Sequence, residues 1–292
     1  MLIPINKRGV TLIELMVAMI ITGVIMASLI GLLNSQRRGY MSQQAKAECE
    51  ESVSRVHGEL LDKIRIAGYM IPHSFVPIQP YYVASGPDSV KVTGNYDNFI
   101  EKSVLNFSHG SDVVYTKASP RFRYTPGMKL MIQSPPADTI YTFWSEVDTA
   151  VQFTFFGTKY IAFSLEDTAT ADFPAGSRVS TFNEYVFKVG FDTSGDDTLG
   201  YFGVRVNDAT AMVRLVDGIE DITLTYETRT DTTDHVSFPA DSLKYIYAVN
   251  LDIVSRSITS DAKYTDPVYG DHYKRSELSS QVVVLNVALA KK

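Results

Sequence analysis

Glu14 is the residue whose chemistry is hardest to place. It closes the run Lys7-Arg8-Gly9-Val10-Thr11-Leu12-Ile13-Glu14, in which a short basic stretch passes through a glycine into an apolar segment. Leu15 to Leu33 are 19 residues without charge or proline. As helix they span about 28 Å, the thickness of a bilayer's hydrocarbon core. A carboxylate in such a segment costs roughly 2.5–3.5 kcal/mol at mid-membrane and less toward its end. What an acid can do there is hold a cation, because a buried charge is tolerable only with a partner; stripping one partner from a buried pair costs about 3–5 kcal/mol. The helix dipole favours an acid near a helix N-terminus by only about 0.3–1 kcal/mol, too little to explain it.

Other residues with chemical potential are scattered. His57, His73, His109, His235 and His272 stand singly, without HExxH, GxSxG or a phosphate-binding glycine loop, and nothing in the pattern calls for a cofactor. Cys49 is the one cysteine, so these residues hold no intrachain disulfide; its place in a helical stripe is that of a small hydrophobe. Asp192, Asp196 and Asp197 crowd six positions in a way that could interest calcium. The spacing is not that of an EF-hand, and Asp with Gly is also what a hairpin turn requires. A melting curve that neither calcium nor a chelator moves is the expected result.

The elements that must position Glu14 begin with the apolar run. It exceeds the usual 7–15 apolar residues of a cleaved secretory signal, and the Asn34-Ser35-Gln36-Arg37-Arg38 that follows lacks small-residue cleavage chemistry. A plain membrane anchor accounts for everything except the acid. Orientation does not follow from charge, since Lys7 and Arg8 on one flank are balanced by Arg37 and Arg38 on the other.

Beyond the run the helical pattern narrows to one stripe: Met41, Ala45, Cys49, Val53, Val56, Leu60, Ile64 and Ala67. Lys46, Glu48, Glu50, Glu51, Arg55, Glu59, Asp62 and Lys63 take much of the remainder. Gly68 followed by Pro72 marks the stop. A helix over 10–68 is therefore predicted, membrane-spanning at about 12–33, with Gly23, Gly31 and Gly39 as points where it could break or where other helices could approach closely. A coiled coil is the alternative for the second half, but the stripe lasts under four heptads.

Residues 69–292 turn to short runs rich in Val, Ile, Thr, Tyr and Phe, separated by turn formers. Tyr185, Phe187, Val189 and Phe191 alternate with Val186, Lys188 and Gly190, and Tyr201 to Val206 are placed to return as the partner strand. Ile222, Leu224 and Tyr226 form a second apolar face; Tyr247, Val249, Leu251 and Ile253 a third; Val283, Leu285, Val287 and Leu289 a last one. The expected fold class is α+β, a long N-terminal helix followed by a largely antiparallel β-rich domain with enough chain for one sizeable core or two subdomains.

The opening residues resemble the class III signal of type IV prepilins and pseudopilins: Lys-Arg-Gly, then Val-Thr-Leu-Ile-Glu-Leu-Met-Val-Ala. The family most often has Phe where this chain has Val10. The resemblance implies that residues 1–9, with the basic Lys7 and Arg8, are a leader at the cytoplasmic face, and that a prepilin peptidase cuts between Gly9 and Val10 and methylates the new amine. Glu14 would then pair with the amine of a neighbouring subunit as helices pack into a filament. Leu61-Asp62-Lys63-Ile64-Arg65-Ile66-Ala67-Gly68-Tyr69 resembles the helix-ending segment of PilW-like minor pilins. Val216-Asp217-Gly218-Ile219-Glu220-Asp221-Ile222 resembles a segment they share with J-type pseudopilins of type II secretion.

The resulting expectation is a non-enzymatic minor pilin, with a J-type pseudopilin as alternative and a single-span anchored binding or adhesion protein as the contrasting class. Its partners would be other pilins, the prepilin peptidase and an inner-membrane assembly platform, first as a single-pass protein of the bacterial inner membrane and later in a periplasmic or surface filament. Nucleic acid is disfavoured as a partner, since the formal charge is −6 and becomes two units more negative if Lys7 and Arg8 leave. A local patch of Lys117, Arg121, Arg123 and Lys129 is the one contrary feature.

Overall fold

The computed structural model describes residues 12–72, 75–81, 87–120, 122–135, 141–192, 198–207, 209–228, 231–235 and 240–285, with 231–235 and 240–242 described by backbone alone. The apolar run and the amphipathic stripe form one helix, α1 (Leu12–Ile66), 55 residues long and so about 82 Å at 1.5 Å per residue. It passes through Gly23, Gly31 and Gly39 unbroken. At eight residues apart these glycines step around the helix by about 80° each, so they do not form one seam. Thr22 and Ser28 donate their hydroxyls back to Ala18 O and Val24 O at 2.8 and 2.9 Å, which removes the need of those polar groups for water.

Among the described residues the strands are β1 (Ile78–Tyr81), β2 (Ser89–Gly94), β3 (Ile100–Lys102), β4 (Val113–Lys117), β5 (Lys129–Gln133), β6 (Thr142–Phe155), β7 (Thr158–Leu165), β8 (Arg178–Asp192), β9 (Leu199–Val206), β10 (Val213–Asp217), β11 (Ile219–Thr228), β12 (Asp231–His235), β13 (Ile246–Arg256) and β14 (Arg275–Val283). Their pairings are antiparallel. A ten-stranded sheet runs β1-β2-β8-β5-β6-β7-β4, with β3 and β9 also on β8 and β10 on β9; a four-stranded sheet runs β12-β11-β13-β14. The fold is α+β.

β8 joins two hydrophobic cores. Toward its end Phe187 and Val189 enter the first, where Val53, Val56, Leu60, Ile64 and Ala67 of α1 meet Val90 and Val92 of β2, Phe202 of β9 and the inner face of the four-stranded sheet. At its start Val179 enters the second, built from Phe99, Phe107, Phe122, Phe143, Phe163 and Phe173 with aliphatic neighbours. Two of its ring pairs meet edge to face, Phe99–Phe163 at 5.7 Å and 70° and Phe122–Phe163 at 5.1 Å and 89°, an arrangement that adds about 0.5–1.5 kcal/mol per pair beyond area burial. The predicted pairing of Tyr201–Val206 with the strand before it is present, with Phe187 opposite Val204 and Val189 opposite Phe202.

Several predicted faces shift. The helix stripe is buried only from Cys49 onward; Met41 is exposed and Ala45 half-buried, because at that height only the β13–β14 connection comes alongside, leaving an open cavity between Met41, Ala45 and residues 259–262. Lys63 leaves the solvated face and lies half-buried between two tyrosines. Tyr247 is displaced from the apolar face of β13 by an irregularity opposite Glu227 and Thr228, so Ile246 is buried in its place and the Tyr247 hydroxyl donates to Glu227 Oε2 at 2.6 Å. At the end of β14 the face is the opposite one: Val282 and Val284 are buried, Val283 and Leu285 exposed. Val287 and Leu289 lie outside the described residues.

Candidate functional site

Two parts of α1 have different surroundings. From Leu12 to Leu33 the large apolar side chains are exposed on every side, a surface that a membrane or other helices must cover. Glu14 lies in the first turn and is exposed. Gly9 and Val10 lie outside the described residues. Among the described residues α1 is the one helix long and apolar enough to cross a membrane.

The second part is locked to the β-domain by more than its stripe. Ser255 donates its hydroxyl to Cys49 O at 2.9 Å, and the Cys49 thiol donates to Lys274 O at 3.4 Å. Cys49 is a buried free cysteine whose thiol is pushed up by burial, the opposite of what a reactive thiolate needs. At the C-terminal end Tyr96 OH donates to Lys63 O at 3.1 Å. The Lys63 ammonium lies 4.6 Å from the centroid of the Tyr96 ring and 4.2 Å from that of Tyr185, a cation–π seat. Burial pulls Lys63 below its ordinary value and pushes Tyr185 up to about 12.

Gly68 (φ +81°) ends the helix and hands the chain to the sheet: its N–H donates to Thr93 O of β2 at 2.9 Å, and Asn95 N–H donates to Tyr69 O at 2.9 Å. Left-handed backbone at that point suits glycine. The segment Leu61–Tyr69 therefore does local work as a cap welded to a strand.

The segment Val216–Ile222 is where the chain leaves the large sheet for the small one. Gly218, at φ +77°, separates β10 from β11; its N–H donates to Gly200 O at 2.8 Å, and its O accepts from Arg256 N–H at 2.7 Å. Close by, the side chain of Arg275 is 6% exposed and holds three carboxylates: Glu220 at 2.6 Å, Asp271 at 2.6 Å and Asp266 at 3.3 Å. Its guanidinium lies 3.9 Å from the centroid of the Tyr269 ring. Asp266 also accepts from the N–H groups of Val268 and Tyr269 at 2.9 and 3.0 Å. The long connection between β13 and β14 is thus latched to the base of β11, and its last residue, Lys274, reaches Ser42 of α1. This hub was not legible in the sequence, because its members are spread from 220 to 275.

The remaining candidates separate. Asp192 is ion-paired with Arg214 at 3.5 Å, and Asp196 and Asp197 lie outside the described residues; among the described residues no three His, Cys, Asp or Glu are placed to hold a metal. Lys129 drops out of the basic patch, since it is nearly buried and donates to Glu184 at 2.6 Å, with Lys91 at 3.1 Å from the same carboxylate. Burial of Glu184 works against its charge, but the two lysines win and hold it below the usual carboxylate range. Arg121 and His73 lie outside the described residues, whereas Lys117 and Arg123 are exposed. His272 contacts Tyr264 O, and His109 is exposed with its backbone N–H on Asp172.

Residues 5–30 match the family model described as the prokaryotic N-terminal methylation motif, the class III signal of type IV pilins. With the apolar helix, the motif supports a pilin- or pseudopilin-like precursor, and a signal of this class implies processing by a prepilin peptidase and association with the membrane. No curated protein and no solved structure matches the chain.

Proposed function

We propose that this chain is a minor type IV pilin: a non-enzymatic subunit cut between Gly9 and Val10, methylated at Val10, and assembled through α1 with its β-domain outside the inner membrane. The observation that carries this reading is the division of one continuous helix into a bare apolar half headed by Glu14 and a half locked to a folded domain. Cleavage creates an amine four residues before Glu14, and packing of helices from neighbouring subunits supplies the surroundings in which that amine and the carboxylate neutralise one another. The Val216–Ile222 segment keeps a J-type pseudopilin as the second reading.

The mass of the mature N-terminus separates this reading from a membrane-anchored adhesin. A methylated Val10 is expected, and an intact leader would overturn the proposal. Glu14→Ala should leave cleavage intact and reduce incorporation into filaments at least about tenfold, the ratio that corresponds to ~1.4 kcal/mol. Unchanged incorporation would remove the ion pair from the mechanism.

A further inference from the structure

The β6–β7 hairpin carries an aromatic face for which neither the helix nor either core has a use. Val151, Phe153 and Phe155 alternate along β6, and Tyr160 of β7 stands opposite Phe153. The rings of Phe153 and Tyr160 stack at 5.7 Å, and Tyr115 of β4 meets Phe153 edge-on at 6.3 Å. All this lies on the outward side, since Ile161 and Phe163 of β7 fill the second core from the other. The helix packs on β14, β13, β10 and β2, so this face stands on the other part of the domain.

The tip is more unusual than the face. Phe156 and Gly157 connect the strands with φ of +47° and +76°, the two-residue turn that favours Asn-Gly. A bulky aromatic in left-handed backbone is uncommon and strained. This one is also 93% exposed, so no core packing compensates. Phe155 beside it is 59% exposed and meets it at 4.5 Å. The strain and the exposure have one physical use in common, which is to hold an apolar wedge away from the domain.

We propose that this hairpin is a lipid-docking tip, inserting Phe155 and Phe156 into the interface of a bilayer that carries anionic headgroups. Charge favours that occupant. Within a chain of formal charge −6, residues 149–165 and 113–120 contain no Asp or Glu, and Lys159 and Lys117 are exposed behind the tip. An apolar wedge backed by lysines fits the boundary between acyl chains and anionic headgroups. Area argues against a second copy as occupant. At roughly 150–250 Å² per aromatic side chain, Phe153, Phe155 and Phe156 offer on the order of 400 Å², whereas a stable protein interface needs about 800 Å² from each partner. A single-stranded nucleic acid asks for rings lying flat along a strongly basic groove, and Phe156 projects instead.

The test uses the full chain in zwitterionic nanodiscs, so that α1 is already accommodated, mixed with vesicles of phosphatidylcholine alone or with phosphatidylglycerol. Co-sedimentation with the anionic vesicles is expected, weakened roughly tenfold or more by the double variant Phe155→Ser/Phe156→Ser. That variant should melt like the wild type, since both rings are exposed. With Phe156→Trp, acyl-chain-brominated vesicles should quench the added fluorescence beyond that seen for the native Trp144. Equal capture of wild type and double variant, absence of quenching, tighter binding to oligo(dT) than to vesicles, or loss of the tip's effect through self-association would each overturn the assignment. The result does not depend on whether α1 enters a filament.

Discussion

Replacing Arg275 with leucine should destabilise the β-domain by about 1.5–3 kcal/mol, the usual worth of hydrogen bonds to charged groups where the partners, Glu220 and Asp271, are still partly open to solvent. The guanidinium donates to Glu220 through two nitrogens, at 2.6 and 3.0 Å, and to Asp271 through two, at 2.8 and 2.6 Å. Without it Asp266, itself only 6% exposed, and its neighbours face one another uncompensated. Leucine keeps the apolar stem's packing, so the loss reports charge rather than volume. Chemical denaturation of the two proteins measures it; a difference below 1 kcal/mol would mean that water enters the hub and screens it.

Acid should erase the difference, and the sign follows from the carboxylates. Donation from Arg275 holds Asp271 at about 2, and backbone N–H groups of Tyr269 and Val268, then Arg275, hold Asp266 below its ordinary value. A depressed carboxylate contributes fully above its unfolded pKa of about 3.9 and loses that contribution as pH falls through its folded value. The gap between wild type and Arg275→Leu should therefore be constant above pH ~5 and close between pH ~4 and ~2. A gap that persisted at pH ~2 would assign the loss to packing.

Gly218→Ala should be comparably damaging, for a backbone reason. At φ +77° an L-residue costs about 1–2 kcal/mol, and a Cβ here would lie 2.6 Å from the carbonyl oxygen of Arg256, an atom fixed in β13. Forcing that contact apart adds about 1–3 kcal/mol of overpacking, so a total of about 2–5 kcal/mol is expected. Gly110→Ala separates the two parts: its φ is +82°, but a Cβ there meets nothing within 4 Å, so only the conformational part should appear. Equal losses at the two sites would show that the sheets move apart without difficulty. The same crowding recurs at Gly200, whose Cβ would fall 1.9 Å from Ile219 O; the two sheets cross here with room for backbone alone.

What was legible in the sequence is what depends on neighbours along the chain. The helix shows because its requirements are local: an unbroken apolar run, then a stripe at spacings of three and four that ends at Gly68, and Cys49, Val53, Val56, Leu60, Ile64 and Ala67 are indeed buried. The motif at residues 5–30 is legible for the same reason, as are Ile222, Leu224 and Tyr226 on one face of β11. Where a face depended on a partner strand, local reading slipped by one residue. Tyr247 is thrown outward by the irregularity against β11, and at Val282–Leu285 the alternation holds while its phase reverses.

The amino-acid sequence by itself determined a membrane-length helix with a carboxylate at its head, a second half built to pack, and a β-rich domain after it. Only the tertiary structure decided that Lys129 joins Lys91 on Glu184 rather than forming part of a basic patch, that Asp192 belongs to Arg214, and that Glu220, Asp266 and Asp271 converge on Arg275. It alone placed the Phe155-Phe156 dipeptide at an exposed tip rather than in a core. The reason is physical: periodicity reports which side of an element is apolar, whereas charge pairing, register and exposure depend on which distant segment is brought to that side.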